Sequence, residues 1–317
     1  GQNSIRKGKT EAPYAWVIPA EQNDPSRLAY MINQLRRHDI EVHRSNSDFT
    51  IDKTDYSAGD FIVRLDQPYG QHAQNLLSEQ FFPKDADHRP YDDVSWTLGL
   101  LYRVDTDKID DESILELDDI SLVTDSIAFP GEVRGNDPAA YAVKHLGNNT
   151  LISARYALKR FKINAAEETF ESGDETFPAG SWIIPHKRGL KGKLEQVAQE
   201  QMLDFYPLES IPDVASHALD LPRIALLHNW VSTQNDGWVR FTLEQYGIPY
   251  DYIADFTVRS GGLASKYDVI IMADQGGASA KALVHGRDPK FGDQAYTSTK
   301  EFPSHGYVDG ARNITRG

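Results

Sequence analysis

Asn229, Trp230, Asp236, Asp274 and Gln275 are the residues of this chain best placed to grip a ligand. They offer amides, carboxylates and an indole, so the chemistry would be hydrogen bonding and stacking rather than nucleophilic attack. Asn229 and Trp230 follow the apolar run Ile224 to Leu227, and Asp274 and Gln275 follow Val269 to Met272. The stretch that joins them reads RIALLHNWVSTQNDGWVRFTLEQYGIPYDYIADFTVRSGGLASKYDVIIMADQ. Its order is β-loop-α-β-α-β, the pattern of a parallel sheet covered by helices. Open sheets of that kind bind ligands at the carboxyl ends of their strands, where these five residues fall. Asp236 also suits an N-cap for a helix from Gly237 to Tyr246 that Gly247 closes in the C′ position. Trp238 reads better as core packing than as a stacking platform, whereas Trp230 in its polar loop keeps both readings.

Other chemistry-bearing groups are weaker. His38 and Glu41 spell H-x-x-E with His43 close by, but zinc needs about three converging protein ligands and no third stands at useful spacing. A capped helix entering a strand accounts for them, so no metal site is assigned. Glu21-Gln22-Asn23-Asp24 and Asp66-Gln67-Pro68-Tyr69 each follow an apolar strand and are expected on a strand-end rim. Turn and N-cap roles suffice for Asp24. No G-x-S-x-G elbow, P-loop or G-x-G-x-x-G follows any strand. Gly261-Gly262 reads as a loop breaker, and Gly276-Gly277 lacks the lysine of a phosphate cradle. No catalytic residue is named.

The elements that must carry these groups begin with the strand Tyr14 to Pro19. A helix follows in which Leu28, Met31, Ile32 and Leu35 recur at helical spacing, opened by Asp24-Pro25 and closed by Arg36, Arg37 and His38. Strands over Ile40 to Arg44 and Ala58 to Val63 lead to a helix from Gly70 to Glu79. The pattern then returns. Tyr141-Ala142-Val143 echoes Tyr14-Ala15-Trp16, LKRFKINA (Leu158 to Ala165) matches LRRHDIEV (Leu35 to Val42), and PAGSWIIP (Pro178 to Pro185) matches SAGDFIVR (Ser57 to Arg64). An internal repeat takes priority in assigning a fold.

Between the copies, Asp105 to Asp119 carries eight acidic residues in fifteen and is expected to be a solvated, mobile segment. A short helix is expected over Val94 to Leu101. The division that results is a basic tail (1–11), a first α/β unit with an acidic insertion (12–137), a second, repeated unit (138–218) and a parallel-sheet unit (219–317). The last is flavodoxin-like or amidotransferase-like and is expected to be incomplete, because no clear apolar strand follows Gln275.

Bulk properties narrow the partners. The net charge is −14, so phosphate backbones are repelled and nucleic acid is an unsuitable partner. Short basic clusters such as Arg36-Arg37, Lys159-Arg160 and Lys187 to Lys193 read as solvated faces. No run approaches the roughly 18 apolar residues of a membrane span. There is no cysteine, which removes disulfides, thiolate zinc sites and a cysteine nucleophile. Gly1 to Thr10 is basic and polar without an apolar h-region, so this stretch is not expected to be a signal peptide.

YAWVIPAEQNDPSRLAYMINQLRRHDIEVHRS, AGDFIVRLDQPYGQHAQNLL, RPYDDVSWTLGLL and ALLHNWVSTQNDGWVRFTLEQYGIPYDYI together resemble a group of bacterial zinc carboxypeptidases of the carboxypeptidase A-like type. The match is to the long region that follows their catalytic domain, and the last phrase resembles the class I glutamine amidotransferase-like domain at their carboxyl end. It covers Ala12 to about Gln275.

That resemblance implies a secreted or periplasmic protein whose zinc, H-x-x-E pair, distant His and general-base Glu belong to a domain this chain does not contain. His38 and Glu41 fall in the downstream region and inherit no zinc role. An amidotransferase needs a cysteine, and none is present. The chain is therefore expected to be a non-catalytic accessory region without its own cofactor, packing on an upstream peptidase domain. The alternative is a module that binds peptide or glycan at the strand-end rim.

Overall fold

The computed structural model describes residues 1–81, 83–88, 97–228, 234–274 and 300 of the chain. Helix α1 (Gln2–Thr10) precedes a first unit of β1 (Ala15–Ile18), α2 (Pro25–Arg37), β2 (His43–Ser45), β3 (Phe49–Ile51), β4 (Thr54–Tyr56), β5 (Phe61–Arg64), α3 (Gly70–Leu77), α4 (Leu98–Tyr102), β6 (Asp107–Ile109) and β7 (Ile120–Leu122). A second unit runs through β8 (Ala140–Val143), α5 (Thr150–Ala157), β9 (Asn164–Ala166), β10 (Phe170–Ser172), β11 (Glu175–Phe177), β12 (Trp182–Pro185), α6 (Leu190–Gln201), β13 (Tyr206–Leu208) and β14 (Ser216–Ala218). The third comprises β15 (Ile224–Leu227), α7 (Gln234–Gln245), β16 (Asp251–Ile253), α8 (Asp255–Ser260), α9 (Leu263–Lys266) and β17 (Val269–Met272).

The fold is mixed α/β. Each of the first two units holds a five-stranded sheet, ordered β6-β1-β5-β2-β7 and β13-β8-β12-β9-β14. Taken strand by strand, the two orders are the same. All pairings within them are antiparallel, unlike the third unit, where β16-β15-β17 is parallel throughout.

The repeat extends to side chains. Trp16 pairs with Val63 in β5, and Tyr141 pairs with Ile184 in β12, so Tyr141 stands where Trp16 does and not, as the sequence suggests, where Tyr14 does. Hairpins β3-β4 and β10-β11 carry matching stacked rings, Phe49 on Tyr56 at 5.1 Å and Phe170 on Phe177 at 4.8 Å. The tight turns before β5 and β12 use Gly59 at φ +102 and Gly180 at φ +89, a region where a side chain is strained. Beyond them, buried Asp60 accepts from the Ala20 N–H at 2.7 Å, and buried Ser181 accepts from the His145 N–H at 3.1 Å.

Burial on both sides of the central strands explains why they read as unbroken apolar runs. Trp16 and Ile18 pack with Leu28, Met31, Ile32, Leu35, Phe61 and Val63 under the helices. Ala15 and Val17 face Ile51, Tyr56 and Ile62 on the hairpin side. Tyr141 and Val143 repeat the first arrangement, and Ala140 and Ala142 the second. Helix α2 starts as its residues dictate: Asp24 accepts from the Ser26 N–H at 3.0 Å and Pro25 occupies the first turn.

Three local expectations are corrected. Residues 1–11 are not a tail: Gln2 to Thr10 are helical, and Gly8 and Gly70 both lie against the Leu65 backbone. The acidic stretch from Asp105 to Asp119 is not a solvated excursion. β6 buries Ile109 and a 3-10 turn over Glu112–Glu116 buries Ile114 while most of the acids face out, and β6 closes one edge of the sheet. The polar clusters after β1 and β5 share no rim, because antiparallel pairing of Ile18 with Phe61 and Ala15 with Arg64 sends them to opposite ends. Of the helix expected over Val94 to Leu101, residues 94–96 lie outside the described residues, and α4 covers Leu98–Tyr102.

The units touch through specific polar contacts. Arg27 donates to the Gly147 carbonyl between the first and second. Asn149 donates to the Tyr246 hydroxyl at 2.9 Å and Ser153 to the Tyr246 carbonyl at 3.0 Å between the second and third. No described helix is long and apolar enough to cross a membrane.

Candidate functional site at the ends of the parallel strands

In the third unit all three strands run the same way, so their carboxyl ends gather on one side. β15 ends at Leu227, β16 at Ile253 and β17 at Met272, with His228 and Asp274 just beyond them and the first turn of α7 held to Asp274 by Asn235. The His228 N–H donates to the Ile253 carbonyl at 3.0 Å, which continues the ladder one residue past β15. Its imidazole stacks on the Tyr252 ring at 4.2 Å between centroids, with 9° between planes.

Asp236, in the first turn of α7, is 2% exposed. The Tyr252 hydroxyl donates to its Oδ2. Its Oδ1 is buried and has no hydrogen-bond partner among the described residues. Burial, and then the bond to Asp236, push the Tyr252 phenol well above its ordinary value, so the donor keeps its proton across the physiological range. On the outer side, the Arg240 guanidinium sits 4.7 Å from the Tyr252 ring centroid. Arg240 is itself held by the Tyr250 hydroxyl at 3.3 Å, and that hydroxyl donates to Glu244 at 2.8 Å. Asn235 closes the rim by donating to the Asp274 carbonyl at 3.0 Å and to its carboxylate at 3.3 Å.

Of the five residues singled out from sequence, Asp236 and Asp274 stand at this rim, while 229, 230 and 275 lie outside the described residues. Asp236 is not an N-cap, because α7 begins two residues earlier, at Gln234, and the side chain turns to Tyr252 instead. The other helix end is as expected: Gly247 has φ +64, and N–H groups of Gly247 and Ile248 return to the carbonyls of Glu244 and Leu243 at 3.1 and 2.9 Å. Trp238 is 63% exposed and packs edge-on against exposed Phe241, which corrects its assignment to the core. His228, Tyr252 and Arg240 were not foreseen. Alternation within Asp251-Tyr252-Ile253 and a histidine directly after a buried strand were the available signals.

The remaining sequence candidates are occupied structurally. Buried Gln67 accepts from the Glu41 N–H at 2.7 Å and donates to the carbonyls of Glu41 and Arg64 at 2.9 and 2.6 Å. Asp66 holds Arg64 at 2.8 Å. His38 meets His72, ring nitrogens 3.0 Å apart, and His43 stands on β2 with its pKa lowered by burial first and by Arg64 second. Among the described residues, no group of three or more His, Cys, Asp or Glu could hold a metal ion.

This arrangement can accept a hydrogen bond in a largely dehydrated setting, while His228 and Arg240 cover the two faces of the Tyr252 ring. It contains no base aligned on a nucleophile among the described residues. No protein-family model, no curated protein and no solved structure matches the chain.

Proposed function

We propose that this chain is a non-catalytic accessory region of a zinc metallocarboxypeptidase-like protein, and that its parallel-sheet unit binds a donor-rich ligand at the strand ends. The phrases quoted from the sequence support the first half of that reading. The observation that carries the second half is the buried, half-satisfied carboxylate of Asp236, which Tyr252 engages at one oxygen only. A buried acceptor left without a donor is costly, and a ligand hydroxyl or amine would supply one. Peptides and glycans both present such groups. Arg240, stacked on the Tyr252 ring, adds a cation beside that acceptor.

The remaining parallel-sheet features favour an amidotransferase-like or flavodoxin-like scaffold used for binding. The peptidase domain would lie upstream and hold the zinc. Calorimetric titration of the purified chain with short peptides and peptidoglycan fragments tests the binding half. Saturable binding that Asp236→Asn weakens supports it, and the absence of binding to either class counts against it. Zinc analysis and a carboxypeptidase assay test the accessory half: near-stoichiometric zinc together with release of C-terminal residues would overturn it.

A further inference from the structure

The first unit contains a cavity of about 620 Å³ lined by Trp16, Leu77, Leu100, Val104 and Thr106, with Glu79 and Asp105 on its rim. That volume is in the range of small-ligand sites. Its floor is apolar, since Trp16, Leu77 and Val104 are buried, whereas Leu100 at the mouth is 66% exposed.

The second unit differs at this place. Ile109 and Leu208 occupy the same register position, opposite Ala15 and Ala140 respectively, so Thr106 stands where Phe205 stands. Phe205 is fully buried in the second core, packed with Tyr141, Val197 and Leu203. The first unit replaces that ring with a threonine, whose side chain packs against Gly99 of α4 where both line the cavity. The connection into β6 is also different. Residues 78–106 carry α4 there, while α6 reaches β13 through 202–205.

The rim residues differ in the same sense. Asp204 is spent on the Arg134 guanidinium at 3.1 Å and the Glu132 N–H at 3.0 Å. Its counterpart Asp105 engages Gln22 through its main chain alone, and neither its carboxylate nor that of Glu79 makes a hydrogen bond or ion pair among the described residues. Lys108, also on the lining, is matched by Asp110 at 3.0 Å.

We propose that this cavity binds the free amino-terminal residue of a peptide, with its apolar side chain in the Trp16–Leu77–Val104 floor and its ammonium between Asp105 and Glu79. The site lies in a different unit from the parallel-strand rim, so its test stands or falls separately.

The test is calorimetric titration of the whole chain with the tripeptide amide Phe-Gly-Gly, with its amine free or acetylated. The free peptide is expected to bind saturably, and acetylation to weaken binding about tenfold or more through loss of the charge-assisted bonds. Thr106→Phe, which installs the ring the second unit already carries, is expected to abolish binding while the chain stays folded. Should that variant unfold, Asp105→Asn combined with Glu79→Gln carries the test, with an expected drop to the affinity of the acetylated peptide. Failure of the wild type to bind, equal affinity for the acetylated peptide, or undiminished binding by a folded Thr106→Phe chain each overturns the proposal.

Discussion

Tyr252 donates its hydroxyl to Asp236 across the top of the parallel sheet, joining the second strand of that unit to the first turn of α7. The bond gives one buried carboxylate oxygen its donor and leaves the other without one among the described residues. Removing the donor therefore exposes the whole desolvation cost of Asp236. Tyr252→Phe is expected to destabilise the third unit by about 1–3 kcal/mol, the usual cost of an orphaned buried polar group. Adding Asp236→Leu should recover part of that loss, because the acceptor leaves with the donor. Urea unfolding followed by tyrosine and tryptophan fluorescence measures both. Strictly additive losses would mean that the two side chains do not interact.

A second carboxylate reports on acid. Asp268 accepts from the Arg223 guanidinium through both oxygens, at 2.8 and 3.0 Å, with a further bond from the Arg223 N–H at 2.8 Å. These bonds hold its pKa at about 2, well below the ordinary carboxylate value. A depressed pKa favours the folded state above the unfolded value, near pH 4. Its contribution is then lost as pH falls from about 4 towards 2. Asp268→Asn is expected to flatten the stability curve in that window and to leave its shape above pH 5 unchanged. An unaltered acid limb would show that the pair does not couple to folding.

At the other extreme, Tyr56 has its phenol raised to about 12, chiefly by burial and then by Asp107, whose carboxylate lies 3.2 Å from the hydroxyl. The sign is opposite to that of Asp268. A raised pKa leaves the stability intact below the unfolded value near pH 10 and removes it as pH climbs through 12. Tyr56→Phe should delay alkaline unfolding of the first unit, although it gives up one hydrogen bond at neutral pH. Spectrophotometric titration of tyrosinate at alkaline pH, with and without Tyr56, follows the group directly.

The amino-acid pattern revealed much of the architecture because its strongest signals are local. Asp24-Pro25 and Gly247 mark helix ends through backbone chemistry that neighbouring residues alone decide. The AG-x-[FW]-I-[VI] pair revealed the repeat because the same turn glycine and the same buried strand recur, at Gly59 and Gly180. Strand direction was not legible in this way. Val17 and Ile62 are buried on both faces in an antiparallel sheet, so their runs look like those of a parallel one. The site was half visible for a related reason. Asp236 and Asp274 sit after strands where polar residues attract notice, but Tyr252 and Arg240 reach the rim only through tertiary packing. Hairpins of three-residue strands, such as Phe49–Ile51 with Thr54–Tyr56, are too short to show a period.

Helix α1 offers a test in which two effects have opposite signs. Gly8 lies inside a helix, where alanine is ordinarily the better former by about 1 kcal/mol. Here a Cβ at Gly8 would fall 2.1 Å from the Leu65 carbonyl oxygen, and one at Gly70, which opens α3, would fall 1.9 Å from the same atom. The obstacle is backbone, so it cannot turn aside like a long side chain. Ser4 fastens the helix further, donating to the Gln67 carbonyl and accepting from the Gln71 N–H, each at 3.2 Å. Gly8→Ala is therefore expected to lift α1 away, with amide protection lost over residues 2–10 and little change in the unfolding of the body. Gly70→Ala should instead destabilise the first unit by about 1–3 kcal/mol, the cost of overpacking a close contact. Hydrogen exchange resolves the two. Greater protection of α1 in the Gly8→Ala chain would mean that helix propensity outweighs docking and that the helix does not rest on Leu65.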